Sequence, residues 1–353
     1  MENVEKHGKK RAYGKRRKRR KIIRICVSIL SVLLALVLLG FAFIWNKYRK
    51  IDKIELKETK INDLTEETEA ALKGYKTFAV FGLDNRSNGN FERGNSDTII
   101  IVSLNQDTGE IKMASVYRDT YLDVGGDKFR KANAAYSAGG PQQAVNMLNR
   151  NLDLNITEYV SVDFNAVADA VDMLDGIELE ITEDEVKHMN SYIDSVSEVT
   201  GKKAHHVTAG TQLCDGVQAT AYARIRYTTG WDFKRTERQR TVITKMFEKA
   251  KQTDVLTLNS MLDEILNEVS LNLEMPEMLA LISDIGKYNM GENTGFPFEH
   301  KSADMGKLGS VEVPTDLESN VVQLHEFLYS NEAYTPSQTV KELSETIHTK
   351  TGY

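Results

Sequence analysis

Arginines concentrate in residues 222–239, which read YARIRYTTGWDFKRTERQ. Arg224 and Arg226 stand two apart beside Tyr222, Ile225 and Tyr227, so an extended backbone would send both guanidiniums out on one face. Arg235, Arg238 and Gln239 then open a helix that continues as TVITKMFEKAK, where residues three and four apart share a face. Four arginines can therefore converge where a strand ends and a helix begins. Such a site suits an anion with several oxygens. Guanidinium forks bind phosphate through paired hydrogen bonds, and a helix N-terminus adds free N–H donors and the positive end of its dipole. The same spacing also suits a solvated basic face, with Thr236 and Gln239 forming a capping box.

The elements that must position these residues lie upstream. TFAVFGLD is an apolar run short enough for a buried strand and ends on Asp84. The polar loop NRSNGNFERGNS follows, and Asp97 then opens the run TIIIVSL. A turn over 105–109 and the return IKMASV make a hairpin that ends in YRDTYLDV. Arg118 and Asp119 at that strand end can face a cleft or pair on the surface. Lys131 lies in KANAAYSAGG, and Pro141 fits the first turn of the helix PQQAVNMLNRNL, where its missing N–H is not needed. Asp163 reads as the N-cap of FNAVADAVDMLDG, whose carboxylates face solvent. IELEIT alternates as a half-buried strand, and residues 183–210 are polar. His205 and His206 are adjacent and lack the spacing that sets two metal ligands on one helix face. Two amphipathic helices split by Met275-Pro276 are expected over 253–288, a strand end and a helix over 313–329, and a frayed tail over 331–353. Strands alternating with helices indicate an α/β sandwich.

With 353 residues and 41% hydrophobic content the chain can bury a sizeable core. Its charge is divided unevenly. Residues 1–24 hold twelve Lys/Arg against Glu2 and Glu5, a net +10; with the whole chain at −6, the remainder carries −16. Residues 25–45 (ICVSILSVLLALVLLGFAFIW) contain no charge, and 21 residues at 1.5 Å each span a hydrocarbon core of about 30 Å. This predicts a transmembrane helix, since the run exceeds a signal-peptide core and no small-residue cleavage pattern follows. Trp45 and Tyr48 suit the interfacial aromatic belt, and the basic block sets a cytoplasmic N-terminus with the rest outside the cell. Residues 46–74 read as a charged juxtamembrane spacer with a helical portion over 64–72, and 75–330 as the folded domain. Cys26 lies in the expected span and Cys214 stands alone outside it, so no disulfide within the exported part is expected. An acidic domain outside the membrane argues against nucleic acid as a partner.

Taken in order, these motifs resemble the LytR-CpsA-Psr enzymes of the Gram-positive cell envelope. The resemblance rests on FGLD, NSDTIIIVSLN, SVYRDTYL, KANAAYSAGG, ARIRY and FKRTERQR behind a short basic tail and one apolar span. It implies a three-layer α-β-α sandwich with a long apolar pocket for a polyprenyl chain and a divalent cation, Mg²⁺ or Mn²⁺, at the pyrophosphate. It also implies transfer of a glycopolymer such as teichoic acid or capsule from undecaprenyl-pyrophosphate to a peptidoglycan hydroxyl. Carried over, Asp84 and Asp97 would hold the metal and orient the attacking hydroxyl. Arg118, Lys131, Arg224, Arg226, Arg235, Arg238 and Gln239 would clamp the pyrophosphate. Phosphoryl transfer needs chiefly positioning and charge neutralisation, and Mg²⁺ is usually held by one or two carboxylates plus substrate phosphates, which suits this set. Two positions depart from the pattern. Asn95 replaces an Arg, a contact that Arg93 or Arg86 could supply, and Tyr117 replaces a Pro. A membrane-anchored pyrophosphatase and a non-catalytic lipid-carrier-binding protein are the competing expectations. Residues 183–210 and those around Trp231 are expected to set substrate choice.

Overall fold

The computed structural model describes residues 54–83, 91–227, 230–331 and 333–353. The basic tail, the span over 25–45, Asp84 and Arg86 lie outside these, and among the described residues no helix is long and apolar enough to cross a membrane. In chain order the elements are α1 (Glu66–Lys73), β1 (Tyr75–Leu83), β2 (Ser96–Asn105), β3 (Glu110–Val116), β4 (Tyr121–Asp123), β5 (Phe129–Lys131) and α2 (Ala134–Leu152). There follow β6 (Tyr159–Val162), α3 (Phe164–Met173), β7 (Ile177–Ile181), α4 (Glu183–Thr200), β8 (Gly210–Cys214), α5 (Gly216–Arg224) and α6 (Trp231–Ala250). The remainder is α7 (Val255–Ile265), β9 (Val269–Leu271), α8 (Met275–Ser283), β10 (Asn289–Phe296), β11 (His300–Asp304), β12 (Ser310–Pro314), α9 (Leu317–Tyr329) and α10 (Gln338–Thr351).

Six strands form one mixed sheet in the order β10-β3-β2-β1-β6-β9. The β2–β3 hairpin forms as expected. Asn105 Oδ1 accepts from the Asp107 and Thr108 amides, and Gly109 takes the left-handed conformation that closes the turn. Residues 99–104 of β2 are all buried because both faces of the sheet are covered. On one face Ala79, Phe81, Ile99 and Ile101 pack with Val145 and Leu148 of α2 and Leu324 and Leu328 of α9. On the other, Phe78, Val80, Ile100, Val102 and Met113 meet Ile243 of α6. Helices thus lie against both faces of an α/β sheet. The run α3 to α6 builds a second core around the β7–β8 ribbon, in which the lone Cys214 is buried.

Two expectations need correction. Residues 331–353 are no frayed tail: Tyr334, Val340, Leu343 and Ile347 are buried in the main core, because α10 carries an apolar stripe at helical spacing and is capped by Ser337. The domain also begins before Tyr75. From Ile54 the supposed spacer lies along α2, with Lys60 N donating to Asn146 Oδ1 and Asn62 Nδ2 to Asp153 Oδ1. Polar residues serve here to pair backbone with helix side chains, which composition alone does not distinguish from solvation. The polar stretch after β7, for which composition gave no element, is largely helical, since Thr182 and Glu185 form a capping box that starts α4. The helix at Pro141 begins where expected. Gly139 and Gly140 break the preceding turn, and a Cβ at Gly140 would sit 2.8 Å from the Glu92 carbonyl.

Candidate active site

Antiparallel pairing of β2 with β3 brings the start of one beside the end of the other, and therefore Asp97 beside Arg118. The first turns of α6 and the segment after α5 close over the same sheet edge. Arg118 Nη1 donates to Asp97 Oδ1 at 2.9 Å, and Arg226 Nη2 donates to Oδ2 at 2.8 Å. Arg235 Nη2 donates to the Asp97 backbone carbonyl at 3.0 Å. Burial by itself would raise the Asp97 pKa, but Arg118, Arg235 and Arg226 outweigh it and hold the carboxyl below its ordinary value.

Two further carboxylates complete the cluster. Asp232 contacts Arg235 Nη1 at 3.1 Å and Arg118 Nε at 3.6 Å. Asp119 contacts Arg118 Nε at 3.3 Å and Lys131 Nζ at 2.9 Å. Burial would lower the Arg118 pKa, yet Asp97, Asp232 and Asp119 raise it. Arg235, 2% exposed, is pushed down to about 10 chiefly by burial and stays charged at neutral pH. Arg118 Nε and Arg235 Nε make no hydrogen bond among the described residues, and neither does the buried Gln239 Oε1. Arg118 Nε nevertheless faces the Asp119 and Asp232 carboxylates, which leaves the Arg235 Nε–H as an unspent buried donor and Gln239 Oε1 as an unspent buried acceptor.

The expected residues therefore separate. Asp97, Arg118, Arg226 and Arg235 meet directly, and Lys131 joins through Asp119. Arg224 does not leave on the face of Arg226, because residues 216–224 are helical rather than extended. Asp215 and Gln218 form a capping box, and an Ala-rich sequence continues the turn. Its guanidinium lies over the rings of Phe164, at 4.4 Å, and Tyr192, at 5.3 Å. Arg238 turns away from the cluster: Nε donates to Glu185 Oε1 at 2.7 Å, both side chains are under 10% exposed, and Nη1 caps the Ile225 carbonyl. Its place in the clamp is corrected to a buried ion pair between α4 and α6. Asp232 was not anticipated, although its position three residues before Arg235 in a helical first turn was a legible signal.

Tyr117 packs edge-on against Phe233 at 4.7 Å and near His300 at 5.6 Å. A Cβ at Gly295 would meet its hydroxyl at 2.0 Å, so the ring at the position of the expected Pro is accommodated by a glycine on β10. Arg93 is exposed near Asn95. His206 pairs with Asp194 at 2.9 Å, and among the described residues no group of three or more His, Cys, Asp or Glu is arranged to hold a metal. Asp97 still fits one as a single oxygen ligand, since each carboxylate oxygen keeps a lone pair beyond its guanidinium bond.

Residues 41–297 match the LytR_cpsA_psr family. The chain is 33% identical over 199 residues to the polyisoprenyl-teichoic acid–peptidoglycan teichoic acid transferase TagU of Enterococcus faecalis, covering 55% of this chain and 59% of that protein. It is 29% identical over 195 residues to TagV of Bacillus subtilis, a transferase of the same description, covering 54% and 48%. The chain spans about half the length of these relatives. Among solved structures, a Streptococcus agalactiae protein, gbs0355, superposes with a TM-score of 0.63 at 22% identity over 78% of this chain and 92% of that one. TagT with bound octaprenyl pyrophosphate lipid superposes with a TM-score of 0.55 at 18% identity over 85% and 100%, a likeness of fold. On the strength of the matched region, which takes in β1, the Asp97–Arg118 edge and the arginine segment, this chain belongs to the LytR_cpsA_psr family.

Proposed function

We propose that the protein is a phosphotransferase that moves an anionic glycopolymer from an undecaprenyl-pyrophosphate carrier to a peptidoglycan sugar hydroxyl. The observation that carries this is the convergence of three guanidiniums on Asp97 at one sheet edge, with the buried Arg235 Nε–H unspent among the described residues. In the proposed reaction the acceptor oxygen attacks the phosphorus next to the glycan and the P–O–P bond breaks. The new bond is a phosphodiester and the lipid monophosphate leaves. Arg118, Arg226 and Arg235, with Lys131 behind Asp119, neutralise the oxygens that gain charge; Asp97 orients the acceptor hydroxyl and receives its proton. Asp232 and Asp119 hold Arg118 and Arg235 in their forks before substrate arrives, so less order is lost on binding.

A Mg²⁺ or Mn²⁺ ion would be held by Asp97 with Asp84 and substrate phosphate oxygens, and would supply further neutralisation of the pyrophosphate. Half-buried apolar residues support a place for the polyprenyl chain: Phe78, Val80 and Met290 on the sheet face under Ile243, and Met246 of α6, Ile282 of α8 and Ile285 packed against Leu258 and Met261 of α7. The names of relatives support teichoic acid or a similar wall polymer as cargo. The reading includes a single-pass anchor over 25–45, a cytoplasmic N-terminus and a catalytic domain outside the membrane. The three-layer sandwich belongs to it as well, supported by helices on both faces of the sheet.

The test is transfer by the full-length chain in detergent, from a synthetic polyprenyl-pyrophosphate oligosaccharide to a peptidoglycan fragment, with Mg²⁺ or chelator. Asp97→Ala and Arg226→Ala should each lower transfer by roughly 10²-fold or more. Release of glycan phosphate without transfer would replace this function with a pyrophosphatase. Lipid binding with no product would replace it with a carrier-binding protein.

A further inference from the structure

The residue after Arg226 is the one aromatic among the exposed large apolar side chains of the described residues: Tyr227, 61% exposed. Its neighbour in sequence donates to the Asp97 carboxylate, so the backbone that carries the ring is one residue, about 3.8 Å between Cα atoms, from a member of the cluster. A second ring accompanies it. His188 of α4 lies with its centroid 6.0 Å away and tilted by 41°. The segment that carries Tyr227 is fastened from behind at three points. Arg224 lies over Phe164 and Tyr192, Ile225 is fully buried, and the Ile225 carbonyl accepts from Arg238 Nη1. Tyr192 and His188 are four residues apart on α4 and so share a face, which means one helix backs both ends of the segment.

We propose that Tyr227, flanked by His188, is a stacking platform for a pyranose ring of the glycan substrate beside the Asp97–Arg226 pair. This rests on the phosphotransferase reading above. A pyranose has a face of C–H groups and a rim of hydroxyls, so it can lay apolar area on the negative face of a phenol while its rim stays hydrated. An exposed aromatic on an anchored backbone is suited to that, because little conformational freedom remains to be lost. A polyprenyl tail would favour the half-buried apolar side chains under α6 instead. The ring is carried either by the donor, next to the pyrophosphate, or by the acceptor; the chemistry of recognition is the same.

The experiment measures binding to the full-length chain of three probes: polyprenyl pyrophosphate without sugar, the same lipid bearing a disaccharide, and a soluble peptidoglycan fragment. Wild type, Tyr227→Ala, Tyr227→Phe and His188→Ala are compared, with transfer followed in parallel. Tyr227 is exposed, so its removal leaves the core intact. Tyr227→Ala should weaken one of the two sugar-bearing probes by roughly three- to tenfold, leave the sugar-free lipid unchanged, and be rescued by Tyr227→Phe. Which probe weakens assigns the platform to donor or acceptor. Equal affinities for wild type and Tyr227→Ala on all probes, or a Phe variant as weak as Ala, would overturn the platform while leaving transfer intact. Selective loss of a sugar-bearing probe in a protein that transfers nothing would instead uphold the platform and defeat the phosphotransferase reading.

Discussion

Replacing Arg238 separates a clamp from a brace. Its Nε lies 2.7 Å from Glu185 Oε1, with side chains 6% and 8% exposed. Removing one member of such a pair leaves a buried charge uncompensated, at a cost of about 3–5 kcal/mol. For a domain of this size that corresponds to a fall in Tm of roughly 6–10 °C for Arg238→Met, at about 2 °C per kcal/mol. Glu185→Gln removes the partner charge while keeping an oxygen for the Thr182 amide, now 2.9 Å from Glu185 Oε2, so the cap of α4 survives. The double variant should regain most of the loss because no charge is left buried, giving a coupling of ~2 kcal/mol or more in a thermodynamic cycle. Thermal unfolding of the four proteins provides the stabilities, and titration with polyprenyl pyrophosphate provides the affinities. Affinity in the double variant should stay within about threefold of wild type, since the Arg238 guanidinium is directed to Glu185 and to the Ile225 carbonyl. An Arg238→Met protein with unchanged Tm and a tenfold or greater loss of pyrophosphate affinity would refute the brace and return the residue to the clamp.

Two further outcomes concern the far side of the sheet. His325 is fully buried, stacked at 3.7 Å on Tyr334, and its pKa is lowered to about 4 by burial, against the opposing hydrogen bond to the Leu152 carbonyl and the charge of Asp153. The unfolded chain takes up this proton below about pH 6.5 and the folded one only near 4, so the stability it contributes above that window is lost as pH falls through it, on the order of 3 kcal/mol. Urea midpoints between pH 4 and 7 should fall for wild type and flatten for His325→Phe; parallel slopes would exclude the histidine. Ending the chain after Ser330 should abolish cooperative unfolding, because it removes Tyr334, Val340, Leu343 and Ile347 from the core and strips Asp153 of its Tyr334 and Ser337 donors. A truncated protein with the original Tm would show that α10 is dispensable.

Periodicity made most elements legible. The uninterrupted TIIIVSL became a strand covered on both faces, IELEI kept its alternation, and Pro141 started its helix. The β9 strand, Val269–Leu271, was missed because three residues carry no period; only pairing with β6 defines it. The site was half visible. Asp97 and Arg118 stand at the ends of strands that a hairpin must bring together, and Arg235 sits in a helical first turn. Arg224 was misjudged because a stretch containing Tyr, Ile and Arg is compatible with strand, and the capping box opened by Asp215, nine residues upstream, decides for helix.

By itself the sequence determined the alternation of strand and helix, the hairpin that brings two charged strand ends together, and the accumulation of arginine between 222 and 239. Local periods, turn residues and caps act over a few positions and are written in the chain. Which arginine meets which carboxylate was decided only by tertiary structure. Arg235 and Arg238 are three apart on one helix, yet the first reaches Asp97 and Asp232 while the second is drawn to Glu185 on α4. Each guanidinium goes to the oxygens that its buried surroundings offer: Arg235 to the Asp97 carbonyl, 138 residues away, besides its helical neighbour Asp232, and Arg238 to the Glu185 carboxylate, 53 residues away, separations that only folding closes.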